Sequence, residues 1–344
     1  MNVIKLNEVY KPKKDYKVIV KTITFNQSKY IQDTLNGIAM QKTNFPFVNI
    51  VLEDNSTDGE QEIIRLWVER ECDISLAEYY DIPTADLIIV PHKTNHNCTF
   101  AIYFHKENLY QQKEKREAQV NPWREKNEYE ALCEGDDYWI DSLKLQKQVD
   151  FLEKHPEYGL IYTKTKVYNQ NNNEFEDYTI GREANSFDDL IKLNCIGTLT
   201  VCFRKELYDR FHEEVKINPS WKMGDYPIWL FISLNSKIKF LNETTAVYRK
   251  QEQSASNHRD IKGKLAFLES SSDICAYFLT YANRWDLKKT YKAKYCNIII
   301  DYYISYDLPV KFSSISKYWL WKPKFIVKYL LSQLTITRKI LQKK

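Results

Sequence analysis

Between Tyr16 and Leu152 the chain alternates short β-branched, apolar runs with stretches whose apolar residues recur at helical spacing. This alternation limits the fold more than any other feature. Tyr16–Thr24 reads as a strand, and Asn26-Gln27-Ser28 turns the chain into a helix with Ile31, Leu35 and Ile38 on one face. Phe47–Leu52 is a second strand. Thr57-Asp58-Gly59-Glu60 offers a capping box for a helix carrying Ile63, Ile64, Trp67 and Val68. Leu87–Val90 suits a buried third strand. Residues 93–127 read as polar and partly helical. Tyr129–Cys133 reads as a short strand that ends in the acidic turn Glu134-Gly135-Asp136-Asp137. Leu145, Val149 and Leu152 stripe a helix that stops near His155-Pro156. Such order predicts an α/β fold with a mixed, mainly parallel sheet flanked by helices. Leu160–Tyr168, Thr198–Phe203 and Ile238–Tyr248 read as further strands, and from Lys262 onward the pattern is helical and aromatic. The expected organisation is a domain over 1–261, with halves of about 16–140 and 141–261, and a helical, basic C-terminal extension over 262–344.

With 43% hydrophobic and 14% aromatic residues, large-scale disorder is excluded. The formal charge of +4 is too small to suggest a nucleic-acid partner. No run approaches the ~20 apolar residues that span a bilayer, and the first residues lack a secretory apolar core, so a cytoplasmic location is expected. Cys72, Cys98, Cys133, Cys195, Cys202, Cys275 and Cys296 form no Cys-x-x-Cys pair and read as buried thiols. The histidines, His92, His96 and His105 among them, show no ligand spacing.

The acidic turn is the strongest chemical feature. Ligands in open α/β sheets bind at the carboxyl ends of strands, where Glu134, Asp136 and Asp137 would lie. Gly135 is read as the residue that lets the backbone turn tightly. Clustered carboxylates repel, and Mg²⁺ or Mn²⁺ offsets them while bridging to substrate phosphates; a solvated turn is the plain alternative. Glu53-Asp54-Asn55-Ser56-Thr57-Asp58-Gly59 sits at another strand end. There Ser56, Thr57 and Asp58 suit capping, while Asp54 is placed to accept hydrogen bonds from a nucleobase or ribose.

Thr24-Phe25-Asn26-Gln27, the Glu53–Gly59 segment, Leu132–Trp139, Lys144-Leu145-Gln146-Lys147-Gln148 and Gly224-Asp225-Tyr226-Pro227-Ile228-Trp229-Leu230 occur in one order. Together they resemble the inverting family-2 glycosyltransferases with the GT-A (Rossmann-like) fold, in particular bacterial members that build surface polysaccharides. The resemblance covers roughly residues 16–256. It implies a nucleoside diphosphate sugar donor, a UDP-sugar being expected, and a glycan or lipid-linked acceptor. Residues 16–140 would be the nucleotide-sugar half and 141–261 the acceptor half. Asp54 would read the base beside the Thr24–Asn26 turn. Asp136 would hold Mn²⁺ or Mg²⁺ on the diphosphate, with Glu134 near the ribose and Asp137 as a second metal contact. Asp225 matches the family's catalytic base, its plain alternative being a helix-start residue before Pro227. Tyr248–Ser256 resembles a later segment in which Arg249 would pair with phosphate; Gln251 stands where the family often has His. Trp139 and Tyr226 are candidates to shape an acceptor pocket.

After Asp307 no acidic residue occurs, whereas Lys311, Lys317, Lys322, Lys324, Lys328, Arg338, Lys339, Lys343 and Lys344 follow among Trp, Tyr and Leu. That is the composition of helices lying on anionic membranes, and equally of a helix packed on the domain with its lysines in solvent. Two rival functions use the same features: a sugar nucleotidyltransferase, and a non-catalytic sugar-binding or scaffold subunit. The first would carry a Gly-rich phosphate loop near the first strand, yet no glycine precedes Gly37.

Overall fold

The computed structural model describes residues 3–5, 10–251 and 260–334. Glu252 to Ser256 and the tail residues Arg338, Lys339, Lys343 and Lys344, named above, lie outside the described residues. The chain divides into two compact units. One comprises Met1–Ala184, Cys195–Arg210 and Ser236–Lys250, and the other Asn185–Asn194, Phe211–Asn235 and Gln251–Lys344.

The first unit is built on a mixed sheet. Its strands are β1 (Val3–Lys5), β2 (Val18–Thr24), β3 (Phe47–Glu53), β4 (Glu78–Ile82), β5 (Ala85–Pro91), β6 (Cys98–His105), β7 (Tyr129–Leu132), β8 (Tyr138–Trp139), β9 (Tyr158–Asn169), β10 (Glu174–Ile180), β11 (Cys202–Arg204) and β12 (Lys237–Lys250). They run in the order β1-β4-β5-β6-β3-β2-β7-β11-β9-β12-β8, with β10 paired to β9. The centre, β6-β3-β2-β7, is parallel throughout, and β5 and β11 flank it antiparallel. Helices α1 (Ile31–Ala39), α2 (Glu60–Glu71), α3 (Lys113–Val120) and α4 (Lys144–Lys154) cover it. The period-2 alternation of β2 explains the two cores. Val18 and Val20 pack with Ile31, Leu35, Ile64 and Val149, whereas Ile19 packs with Val120 and Trp123.

Three expectations need correction. The stretch 93–127 contains β6, a strand buried at every residue, which pairs with β3 in the middle of the sheet. Thr198–Phe203 is not one strand but a 3₁₀ turn, Thr198–Thr200, followed by β11. The capping box at Thr57–Glu60 does not form: α2 starts after Gly59, at φ 88°, with no side-chain cap. The Thr57 amide instead donates to Asn26 Oδ1 at 2.8 Å. The Glu60 carboxylate accepts from the Gln27 amide at 2.8 Å and from the Thr24 hydroxyl.

The second unit is helical: α5 (Phe187–Lys192), the end of α6 (Lys205–Glu214), α7 (Tyr226–Asn235), α8 (Ile261–Tyr281), α9 (Lys288–Ser305), α10 (Phe312–Ile315) and α11 (Pro323–Gln333). Its α7 is buried all round from Tyr226 to Ile232, as an apolar helix inside a bundle must be. Arg284 clamps Asp188 through both carboxylate oxygens at 2.7 and 2.9 Å. All seven cysteines are buried and unpaired, as expected of buried thiols. No helix among the described residues is long and apolar enough to cross a membrane.

Candidate active site

Thr24, the last residue of β2, is the hub of the site. Its carbonyl accepts the Asp54 amide at 3.0 Å just beyond β3. On its other side the Gly135 amide donates to the Ile23 carbonyl at 3.0 Å. A Cβ added to Gly135 would lie 2.1 Å from Thr24 Oγ1. Gly135 is therefore needed for close approach to Thr24; it is not among the positive-φ glycines, so the expected reason, a tight turn, gives way to a steric one. The Thr34 hydroxyl on α1 donates to the Gly135 and Asp137 carbonyls at 3.0 and 2.6 Å and fixes the acidic turn from below. Asn26 and Asn55 both adopt left-handed backbone, with φ of 55° and 60°, a region that Asn tolerates. The Asn26 amide donates to Ser56 Oγ at 2.9 Å. Residues 24–28 and 53–60 thus form one interlocked rim at the carboxyl end of the central strands.

Within the turn, Glu134 and Asp136 are half-buried and Asp137 is buried. Burial, then the charges of Asp136 and Glu134, push the Asp137 carboxyl well above its usual range. The Arg249 amide, donating to Asp137 Oδ1 at 2.8 Å, offsets this only in part. Among the described residues no three His, Cys, Asp or Glu side chains form a metal cage on their own. The donor set nevertheless fits a hard divalent cation. It is all oxygen, and Mg²⁺ or Mn²⁺ needs only one or two carboxylates when substrate phosphates and water supply the rest.

Arg249 leaves β12 beside the turn. Its guanidinium pairs with Asp33 on α1 and lies 5.0 and 4.7 Å from the ring centroids of Tyr30 and Tyr138. Its Nε is buried with no hydrogen-bond partner among the described residues. Trp139 and Tyr226 are placed otherwise than a sugar-stacking role requires. Trp139 is 1% exposed, donates through Nε1 to the Leu199 carbonyl at 2.8 Å and carries the Lys144 ammonium 4.1 Å over its ring. Tyr226 is 0% exposed, its hydroxyl bonded to the Leu190 carbonyl at 2.8 Å in the second unit. With both faces enclosed, each is core. Asp225 lies just before α7, half-buried, with Oδ1 accepting the Tyr226 amide at 2.7 Å and its carbonyl accepting the Ile228 amide at 2.9 Å.

The structure adds a residue that the spacing of histidines concealed. Asp54 is buried, and its Oδ1 accepts the Leu109 amide at 2.7 Å and faces His105 Nδ1 at 3.0 Å. His105 Nε2 faces Gln119 Oε1 at 2.8 Å, and Gln119 in turn donates to Thr84 Oγ1 at 2.7 Å. This chain of side chains fixes the orientation of Asp54. No described residue bonds Asp54 Oδ2. The signal for His105 lay in its position at the end of β6, where β6 pairs in parallel with β3 and brings it beside Asp54.

No family model matches the chain. TarS of S. aureus superposes with a TM-score of 0.54 at 14% identity, covering 95% of this chain and 54% of that one. Its residues 1–349, in complex with UDP-GlcNAc, give 0.54 at 15% identity and cover 92% of that chain. The fold is that of the GT-A glycosyltransferases. In this chain the Thr24 rim and the acidic turn lie at the ends of the central parallel strands β2, β3 and β7. In sequence the chain is 22% identical over 248 residues to the Bacillus subtilis protein named as the teichuronic acid biosynthesis glycosyltransferase TuaG, covering 71% of this chain and 84% of that one. It is 29% identical over 235 residues to an uncharacterized protein of Mycobacterium tuberculosis, covering 67% of this chain. The match spans 58% of that relative's length.

His105→Ala is expected to weaken donor binding about tenfold, the scale of one lost charge-assisted hydrogen bond, with kcat nearly unchanged. A KM-against-kcat comparison checks this. A fall in kcat at constant KM would remove His105 from the donor subsite.

Proposed function

We propose that the protein is an inverting glycosyltransferase that moves a sugar from a UDP-sugar to a hydroxyl of a glycan or lipid-linked acceptor in bacterial surface-polysaccharide synthesis. The observation that carries this reading is the convergence on Thr24 of Asp54 and the acidic turn, at the carboxyl ends of parallel strands, where open α/β sheets bind their ligands; TarS, which shares the fold, is known in complex with UDP-GlcNAc. Asp54 has Oδ1 committed to Leu109 and His105. One oxygen remains for the base, which suits uracil with its single imide N–H better than guanine with two adjacent donors. The name of TuaG supports the polysaccharide context.

In this reading Glu134 lies near the ribose, and the buried Nε of Arg249 is a donor in reserve for phosphate. Asp136, with Asp137 as second contact, would hold Mn²⁺ or Mg²⁺, which when bound supplies Lewis-acid stabilisation of the departing diphosphate. Asp225 takes the proton of the acceptor hydroxyl as that oxygen bonds to the anomeric carbon. The bond from that carbon to the β-phosphate oxygen breaks, and the nucleoside diphosphate leaves with the electron pair. One displacement inverts the centre, by the stereochemical logic of inverting glycosidases.

The test is incubation with UDP-, dTDP- and GDP-sugars, Mn²⁺ and a panel of glycan and lipid-linked acceptors. Acceptor-dependent release of UDP is expected, reduced on the order of 10²–10⁴-fold in Asp225→Asn with donor affinity retained. Release of pyrophosphate from UTP and a sugar phosphate would instead establish a nucleotidyltransferase. Donor binding without turnover on any acceptor would point to a binding subunit.

A further inference from the structure

A helix packed against a protein normally turns its apolar residues inward and its charges outward. The helix α11 keeps only half of this rule. Phe325 and Ser332 are its buried residues. Its outward stripe, Val327, Leu330 and the following Leu334, is spaced three and four residues apart, and these side chains are 53%, 57% and 59% exposed. Just before the helix, Trp321 is 83% exposed. Along the sequence from Lys311 to Leu334 every charged residue is a lysine. Lys322 and Lys324 are exposed at the start of α11, Lys311 is exposed ahead of α10, and no Asp or Glu occurs after Asp307. The Lys328 ammonium is already paired with the Asp301 carboxylate at 2.7 Å.

We propose that this face of the second unit docks on an anionic lipid bilayer, with α11 lying in the plane of the interface. The inference goes beyond the transfer reaction and does not rest on it. An eleven-residue helix is far too short to span, but it is suited to lie among headgroups with Val327, Leu330 and Leu334 inserted and its lysines at phosphate level. Trp321 has the amphipathic ring that settles at membrane–water interfaces. A second copy of the same face is a poor occupant, since Lys322 and Lys324 would meet cations of their own kind around the stripe. An anionic surface answers both the apolar and the electrostatic half of the pattern.

The experiment is co-sedimentation of the full chain with phosphatidylcholine vesicles containing 0–40 mol% phosphatidylglycerol. Binding is expected to rise with phosphatidylglycerol and to fall with salt. The pair Trp321→Glu and Leu330→Glu is expected to lower the partition coefficient at least tenfold with an unchanged melting temperature, since both side chains are exposed. Lys322→Gln and Lys324→Gln are expected to lower it roughly fivefold per lysine on anionic vesicles and to leave any binding to pure phosphatidylcholine unchanged. The proposal is overturned if the wild-type chain fails to sediment with 40 mol% phosphatidylglycerol at low salt, or if the Trp321/Leu330 pair binds as the wild type does. It is equally overturned if light scattering shows a dimer that those two substitutions dissociate, which would make a second copy the occupant.

Discussion

Asp136→Asn is expected to abolish sugar transfer, lowering the rate on the order of 10³-fold or more. The substitution keeps shape and removes the charge that would anchor a cation on the diphosphate. Its effect on stability should have the opposite sign from a folding defect. The charge of Asp136 is the largest contribution after burial to the raised proton affinity of buried Asp137. Neutralising it relieves repulsion inside the turn, so the melting temperature of Asp136→Asn should equal or exceed that of the parent. Glu134→Asp, which keeps the charge, should be tolerated. Activity with and without Mn²⁺, alongside thermal melting, reads both effects. Near-normal activity of Asp136→Asn would remove the turn from the reaction.

Gly135→Ala is expected to damage both stability and donor binding, although it adds a single methyl group. The new Cβ would lie 2.1 Å from Thr24 Oγ1 and 2.4 Å from Thr24 Cβ. Thr24 has little freedom to yield, being buried, hydrogen-bonded to Glu60 and placed at the end of a central strand. The acidic turn must move instead. Overpacking of this kind costs about 1–3 kcal/mol, and a displacement near 1 Å in a positioned site costs on the order of 10²-fold in rate. Gly224→Ala is the matching control, because a Cβ there meets nothing within 4 Å among the described residues. Thermal melting and donor titration of the two variants should separate sharply. Equal behaviour would mean that the contact between the turn and Thr24 is not what holds the site.

Much of the central sheet was legible because its buried parallel strands read as short, mainly apolar or β-branched runs, as β2 and β3 do. The acidic turn was legible because it follows such a run. The strand β6 was not, since Lys93–Asn97 before it and the charged residues after it drown eight buried residues in a polar window. The Thr57–Glu60 segment misled for a different reason. Its residues have the right chemistry for a local cap, but Thr57 and Glu60 spend their hydrogen bonds on Asn26, Gln27 and Thr24, some thirty residues away. His105 was illegible for the same cause: its partner Asp54 is 51 residues distant, and only strand pairing brings them together. Periodicity reports what a residue does for its own element. It is silent on what a side chain does for a neighbouring one.

The helical unit also sets a timetable for synthesis. Its parts come from three stretches of chain, so α7 leaves the ribosome well before α8, whose Cys275 lies against Tyr226. The rest of the unit follows over roughly 100 further residues, or ~5–20 s at ordinary translation rates. During that interval Tyr226–Ile232, apolar on every side, has no completed bundle in which to hide. This segment is where a nascent chain would engage holdase chaperones. A chain cut short before α8 would leave α7 stranded and prone to aggregate, even with the sheet unit fully synthesised.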